Sequence, residues 1–213
     1  MTVILLISMI FWLSGDNKNN KNIVKSENFK TKENKIILNK IPRIDLTVNI
    51  QTDYILYENY NSLITSSDVV AIVLPQRNLQ NNPNITMYNT DGTIMDFYSI
   101  ASVRILKLIK GKNILPNEII DVIEPISIIY EDHLYKKLTT EGYAEMLKNK
   151  PYVVFLKKNS FGYLGVINMN NGKYDFNELK EISNKKSLLK FDNISPRDLI
   201  IKDMIKNNSS ILY

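Results

Sequence analysis

The chain contains a single histidine, His133, and two carboxylates, Glu131 and Asp132, directly precede it. A histidine beside a carboxylate can act as a general base, and the same side chains could bind a divalent cation. Residues that follow one another in sequence do not converge on one point unless the backbone folds back, and catalysis needs a defined pocket. We therefore predict a solvated polar loop between strands. A hydrolase that uses His133 with Glu131 or Asp132 is kept as an alternative.

Several catalytic and ligand-binding motifs are absent from the sequence, which excludes further classes of function. The 213-residue chain has no cysteine, which excludes disulfide bonds, thiol catalysis and zinc sites built on thiolates. Its seven glycines form neither a dinucleotide-binding nor a P-loop pattern, and no GxSxG or HExxH motif occurs. We therefore predict a non-catalytic protein without cofactor-binding or metal-binding residues.

Two aromatic residues near predicted loops are candidates for ligand binding. Tyr143 and Phe161 lie outside the strongly apolar runs, so we expect both side chains to be exposed. Exposed aromatic rings can stack on sugars or nucleic-acid bases. The ligand that they would bind is not indicated by the sequence.

The first sixteen residues are predicted to be a signal peptide or an N-terminal anchor. Residues 3–13 read VILLISMIFWL, an apolar run long enough for the h-region of a signal peptide but covering only about half of a bilayer core. The next positions resemble the end of a bacterial lipoprotein signal, in which Leu13, Ser14 and Gly15 would precede the lipidated cysteine. Asp16 stands where that cysteine would be, so we expect no lipid attachment. The predicted location is extracytoplasmic, with the protein membrane-associated or secreted.

Most of the net positive charge of the chain lies directly after this leader. Residues 17–45 carry eight Lys and Arg against three acids, whereas residues 46–213 carry nineteen against eighteen. Asn and Lys dominate residues 17–45 and no apolar periodicity is sustained there, which predicts a solvated linker. Because nucleic-acid-binding domains concentrate Lys and Arg on their own surface, no nucleic-acid partner is expected.

Residues 46–213 are predicted to form a single β-rich domain. Short apolar or alternating runs, separated by turn signals such as Asp91-Gly92, predict strands. These runs cover residues 68–74, 97–110, 118–124, 152–156 and 162–169, and a short helix is predicted at 58–66. Ser195 followed by Pro196 predicts the start of a C-terminal helix. The absence of βαβ alternation favours a mainly β fold, either a small antiparallel β-barrel or a sandwich.

The order of these patterns resembles that of small secreted proteins and lipoproteins of low-GC Gram-positive bacteria. The resemblance rests on the strand patterns and turn residues between positions 57 and 176, including VRILKLIKG at 103–111 and YVVFL at 152–156. It implies an OB-like barrel similar to netrin modules and tissue inhibitors of metalloproteinases. Those inhibitors act through an N-terminal cysteine, which this chain lacks, so the inhibitory activity does not carry over.

These observations predict a non-catalytic, extracytoplasmic binding domain of the bacterial cell envelope. Its partner would be an envelope protein, peptide or polymer, and the N-terminal segment would associate with the membrane. Besides the hydrolase, an OB-type single-strand nucleic-acid binder is the other alternative.

Overall fold

The computed structural model describes residues 32–36, 43–184 and 195–207, in which eleven strands and three α-helices form a mainly β fold. The strands are β1 (Lys32–Ile36), β2 (Leu46–Ile50), β3 (Val69–Pro75), β4 (Asn84–Tyr88), β5 (Ile94–Lys110), β6 (Ile119–Glu124), β7 (Ile126–Glu131), β8 (Leu134–Thr140), β9 (Tyr152–Lys158), β10 (Leu164–Val166) and β11 (Lys173–Asp175). The helices are α1 (Tyr60–Ser66), α2 (Phe176–Asn184) and α3 (Pro196–Asn207).

Five strands close into a barrel, which confirms the predicted barrel over the sandwich. Around the ring the order is β3, β5, β6, β10 and β9, and β9 pairs again with β3. All neighbours in the ring are antiparallel except β6 and β10, which are parallel. A small five-stranded Greek-key barrel of this kind is the OB-type architecture.

The 17-residue strand β5 pairs with three other strands, two of which, β3 and β6, are its neighbours in the ring. Its first part pairs with β4, its middle with β6 and its later part with β3. The register against β3 shifts twice, between Val70 and Ala71 and between Ile72 and Val73. Such bulges bend a strand and increase its twist, which lets a short sheet curve into a closed barrel.

Strand β9 is buried on both faces, as its YVVFL sequence predicts. One face, with Val154 and Leu156, lies in the barrel core, and the other packs under the helices. On that outer face the Phe155 ring meets the rings of Tyr60 and Tyr174 edge-on, with centroids 6.1 and 6.2 Å away. The strand therefore joins the two largest apolar clusters of the molecule.

The helix starts follow local sequence signals. The Asn59 side chain accepts a hydrogen bond from the Ser62 amide at 2.9 Å and caps α1. Ser195 precedes α3, and its hydroxyl donates to Asp198 at 2.6 Å, within the first turn of the predicted C-terminal helix. Helix α2 was not predicted, although its apolar residues Phe176, Leu179 and Ile182 recur at helical spacing and pack in the cluster under β9.

Three strands form a second sheet that the sequence analysis did not predict. Its order is β2, β8 and β7, with β2 parallel to β8. Phe97 at the start of β5 packs against Ile129 and Leu138 of this sheet. The region around His133, interpreted as a loop between strands, is therefore the tip of the β7–β8 hairpin.

Strand β1 lies within the segment predicted to be a linker, residues 17–45. It pairs antiparallel with β4, from Lys32 opposite Tyr88 to Ile36 opposite Asn84. The prediction relied on apolar periodicity, whereas an edge strand needs only backbone hydrogen bonds to its neighbour. At least these five residues therefore belong to the sheet.

Truncation of the buried Phe155 provides a test of this core. We expect Phe155→Ala to lower the free energy of unfolding by about 3–5 kcal/mol, because it leaves a cavity between β9 and the helices. Phe161→Ala is the matched control, since this exposed phenylalanine should cost less than about 0.5 kcal/mol. Chemical denaturation of both variants measures the difference, and equal midpoints would show that Phe155 is not a core residue.

Candidate functional site

The structure places His133 in an exposed two-residue hairpin turn. Asp132 and His133 both adopt left-handed backbone conformations, with φ of 53° and 63°, which suits the tight turn between β7 and β8. The Lys136 ammonium lies 2.7 Å from a Glu131 oxygen and 2.8 Å from an Asp132 oxygen. Both carboxylates thus hold Lys136 across the hairpin. Within the described part of the chain, no three His, Asp or Glu side chains come together in a way that could hold a metal ion.

The two aromatic candidates have opposite environments. Phe161 lies in the β9–β10 turn and is 71 % exposed, in agreement with the expectation. Tyr143 is only 2 % exposed, so the expectation for this residue is wrong. The segment between β8 and β9 folds over one end of the barrel and places the Tyr143 ring in the core. There the Tyr143 hydroxyl donates a hydrogen bond to a carboxylate.

That carboxylate belongs to Glu124, which lies at the end of β6 and is fully buried. One of its oxygens, Oε1, accepts hydrogen bonds from the Tyr143 hydroxyl at 2.8 Å and from the Met146 amide at 2.9 Å. The other, Oε2, has no hydrogen-bond partner among the described residues. Burial raises the pKa of Glu124 to about 7, although these hydrogen bonds and the charge of Lys173 oppose the shift.

Lys173 provides the positive charge of this cluster. It is only 7 % exposed, and its ammonium lies 4.8 Å from the ring centroid of Tyr143 and 5.6 Å from that of Tyr152. Burial lowers the pKa of Lys173, and the charge of Glu124 acts in the opposite direction. Arg197 of α3 adds a second positive charge nearby and donates to the Lys173 carbonyl oxygen at 3.3 Å. We call Glu124, Tyr143, Tyr152 and Lys173 the polar cluster.

The polar cluster contains groups that could transfer protons, but these groups are buried. A glutamate that titrates near neutrality can exchange protons with a substrate, provided that the substrate comes within hydrogen-bonding distance. Glu124 and Tyr143 are enclosed by the β8–β9 segment and the barrel wall. The hydrogen bonds and charges of the cluster therefore contribute to the stability of this end of the barrel.

The polar cluster was not predicted from the sequence, although Glu124 carried a signal. It stands in the apolar run VIEPI, where an acid in line with buried positions must be neutralised or hydrogen-bonded. Lys173 lies in a polar turn and offers no comparable signal. Only the pairing of β11 with β9 brings Lys173 to the barrel.

The opposite end of the barrel is apolar and exposed. Strand β6 runs from Ile119 at this end to Glu124 at the other, and β10 is its parallel neighbour. The β5–β6 loop and the β9–β10 turn therefore leave the barrel side by side. Their large apolar side chains are mostly exposed: Phe161 71 %, Leu115 70 %, Tyr163 58 % and Ile119 54 %. We call these four residues the apolar end.

The predicted leader, which includes Leu13, Ser14, Gly15 and Asp16, lies outside the described residues. In the part of the chain that is described, none of the helices has the length and apolar character needed to cross a membrane. The predicted signal or anchor role of residues 1–16 thus stays a prediction.

The raised pKa of Glu124 predicts a pH dependence of stability. The folded state binds this proton more tightly than the unfolded chain, so the stabilisation is fully present below the ordinary pKa of 4.5 and is lost as pH rises to about 7. We expect up to about 3 kcal/mol from this group. Glu124→Gln cannot titrate, so the difference in unfolding free energy between native chain and variant should change over this interval.

Denaturation at several pH values measures that difference. Burial also raises the pKa of Asp96, to about 6, so only the comparison with the variant isolates Glu124. Glu131→Gln, at an exposed position, controls for the loss of one carboxylate. If the native chain and Glu124→Gln differed in unfolding free energy by a constant amount between pH 4.5 and 7, the prediction would be contradicted.

Comparison with known proteins gives no relative: the chain matches no family model, no curated protein and no solved structure. The two ends of the barrel are the candidate sites: the polar cluster closes one of them, and the other exposes the apolar end.

Proposed function

We propose that the protein is a non-catalytic binding domain of the bacterial cell envelope, and that its binding surface is the apolar end. The supporting observation is the exposure of four large apolar side chains in two adjacent loops and at the start of β6. Soluble proteins rarely expose contiguous apolar patches without an interaction to serve, because each such side chain gains about 1.5–3 kcal/mol when it is buried. A partner that covers these residues would provide that burial.

The apolar end lies where OB-type barrels bind their ligands. In OB-type barrels the second and third strands and the loop between the fourth and fifth strands carry ligands. The corresponding elements here are β5, β6 and the β9–β10 turn. Phe161 and Tyr163 lie in that turn, and Ile119 begins β6.

The hydrolase alternative has weaker support. Glu131 and Asp132 both hold Lys136, and His133 projects from a hairpin tip on the separate three-stranded sheet. A catalytic group needs neighbours that position it and a cavity that takes the substrate, and an exposed turn offers neither.

The single-strand nucleic-acid alternative draws on the two exposed aromatic residues of the β9–β10 turn. Phe161 and Tyr163 could stack on bases. Asp121 of β6, however, lies next to this turn and is exposed. Its carboxylate accepts a hydrogen bond from the Ser102 hydroxyl at 2.8 Å. A carboxylate beside the proposed stacking residues repels a phosphate backbone, and the β-domain carries nearly balanced charges.

The envelope location can be tested by fractionation of cells that express the native chain and a chain that starts at Asn17. We expect the native chain outside the cytoplasm and the shortened chain folded in the cytoplasm, since the apolar run of residues 3–13 would direct export. Asp16→Cys should add lipid attachment if the leader is of lipoprotein type. An intact native chain in the soluble cytoplasmic fraction would contradict the proposed location.

The binding surface can be tested separately by photocrosslinking in cells. A photoreactive amino acid at position 161 should form adducts with an envelope component, whereas one at position 134 should not. Leu134 is the control because it is an exposed apolar residue on the three-stranded sheet. Equal labelling from both positions, or none from position 161, would count against the apolar end as the binding surface.

A further inference from the structure

We propose that the chain forms a two-fold symmetric dimer in which strand β2 of one copy pairs antiparallel with β2 of a second copy. The inference goes beyond the proposed function, because it concerns the three-stranded sheet and not the apolar end. Three properties of β2 support it: an open backbone edge, a sequence without charges, and a residue pattern that is complementary to itself in one antiparallel register.

Strand β2 is at the edge of the three-stranded sheet. Among the described residues it pairs with β8 alone. The Ile50 carbonyl accepts a hydrogen bond from the Glu141 amide, directly after β8, so the backbone of Ile50 faces β8. Because successive residues of a strand direct their backbone groups to opposite sides, the amides and carbonyls of Thr47 and Asn49 face away from β8. These groups can form hydrogen bonds to another strand.

The side chains of β2 do not protect this edge. Natural sheets guard exposed edges with charged residues, proline or bulges, because unpaired backbone groups otherwise attract another strand. The sequence of β2, LTVNI, contains no charged residue and no proline, and its register with β8 is unbroken. In contrast, β1, the outer strand of the larger sheet, reads KENKI and carries three charges. The edge of β2 is therefore the one suited to a partner strand.

A second copy of β2 would bury apolar residues at this edge. Leu46, Val48 and Ile50 alternate along the strand and therefore lie on one face of the sheet. Val48 and Ile50 pack against the cluster around Phe97 but stay partly exposed, and Leu46 is 48 % exposed. Side chains opposite each other in paired strands contact on the same face. A neighbouring strand with apolar residues at the matching positions would therefore extend this cluster.

One antiparallel register pairs every residue of β2 with a residue of β2 in the second copy. It places the two-fold axis at Val48, so that Leu46 lies opposite Ile50 of the second copy. Thr47 then lies opposite Asn49, and these two form the hydrogen-bonded pairs because their backbone groups face outward. Apolar residues meet on one face and polar residues on the other. A symmetric contact of this kind uses the same surface of both copies and stops at the dimer.

The charged residues that flank β2 favour the same register. It sets Arg43 opposite Asp53 of the second copy, and the symmetry of the dimer repeats this pair. Both side chains are exposed, and neither forms an ion pair with another described residue. With the axis at Asn49 instead, Asp45 would lie opposite Asp53, and like charges in opposite positions destabilise paired strands. Charge complementarity therefore supports a second copy as the partner, with the axis at Val48.

The chain has no cysteine, so introduced cysteines can report the register in the full-length protein. Positions 46 and 50 of the two copies form a non-hydrogen-bonded pair in the proposed dimer, with Cα atoms about 4.5 Å apart, which a disulfide bond can join. An equal mixture of Leu46→Cys and Ile50→Cys chains should therefore give a disulfide-linked dimer on mild oxidation, as should Val48→Cys alone. Leu46→Cys alone or Ile50→Cys alone should give none, because the two cysteines would lie about 14 Å apart along the strands.

Thr47→Pro tests the hydrogen bonds of this edge. Proline removes the outward-facing amide of residue 47 but none of the bonds between β2 and β8, so the chain should still fold. Added to the Val48→Cys chain, it should lower the disulfide-linked fraction about tenfold, because each dimer loses two hydrogen bonds. Leu134→Cys, at an exposed position of β8, controls for random collision and should give no dimer.

Three results would overturn the inference. Equal crosslinking by Leu46→Cys alone and by the mixture would indicate random collision, and an undiminished fraction with Thr47→Pro would exclude pairing through the β2 edge. Folded variants that give no dimer in the mixture would leave this edge to a strand of another protein. None of these results bears on the apolar end, so the proposed function is tested separately.

Discussion

The burial of β9 on both faces is the constraint on which the rest of the structure depends. One face completes the barrel core through Val154 and Leu156, and the other packs under the helices through Val153 and Phe155. Because β9 pairs with β3, β10 and β11, it also connects the ring to the strand that brings Lys173 into place. An apolar strand is stable only when both of its faces are buried. The three helices pack on the outer surface of the barrel and bury the second face of β9.

Closure of the ring leaves two ends with different chemistry. At one end the β8–β9 segment covers a buried carboxylate, whose desolvation is offset by the Tyr143 hydroxyl, the Met146 amide and the charge of Lys173. At the other end two short loops leave the ring together and keep their apolar residues in solvent. The closed end buries an ionisable carboxyl group, and the open end offers the surface on which the proposed function depends.

The proposed envelope function draws on two separate parts of the chain. It combines the predicted leader, with its apolar residues 3–13, and the exposed apolar end of the barrel. The pairing of β1 with β4 shortens the segment between them that can act as a tether.

Features that depend on local patterns could be predicted from the sequence. The buried strand at YVVFL, the long strand before Lys110, the Asp91-Gly92 turn and the start of α3 follow from alternation, turn chemistry and capping, which act over a few residues. Tertiary folding determined which strands became neighbours, and therefore which residues meet. The parallel pairing of β6 and β10 places the β5–β6 loop and the β9–β10 turn at the same end of the barrel, and the fold of the β8–β9 segment brings the Tyr143 hydroxyl to Glu124. No local pattern encodes these contacts, because pairing between distant segments is fixed by burial and backbone hydrogen bonding across the whole sheet.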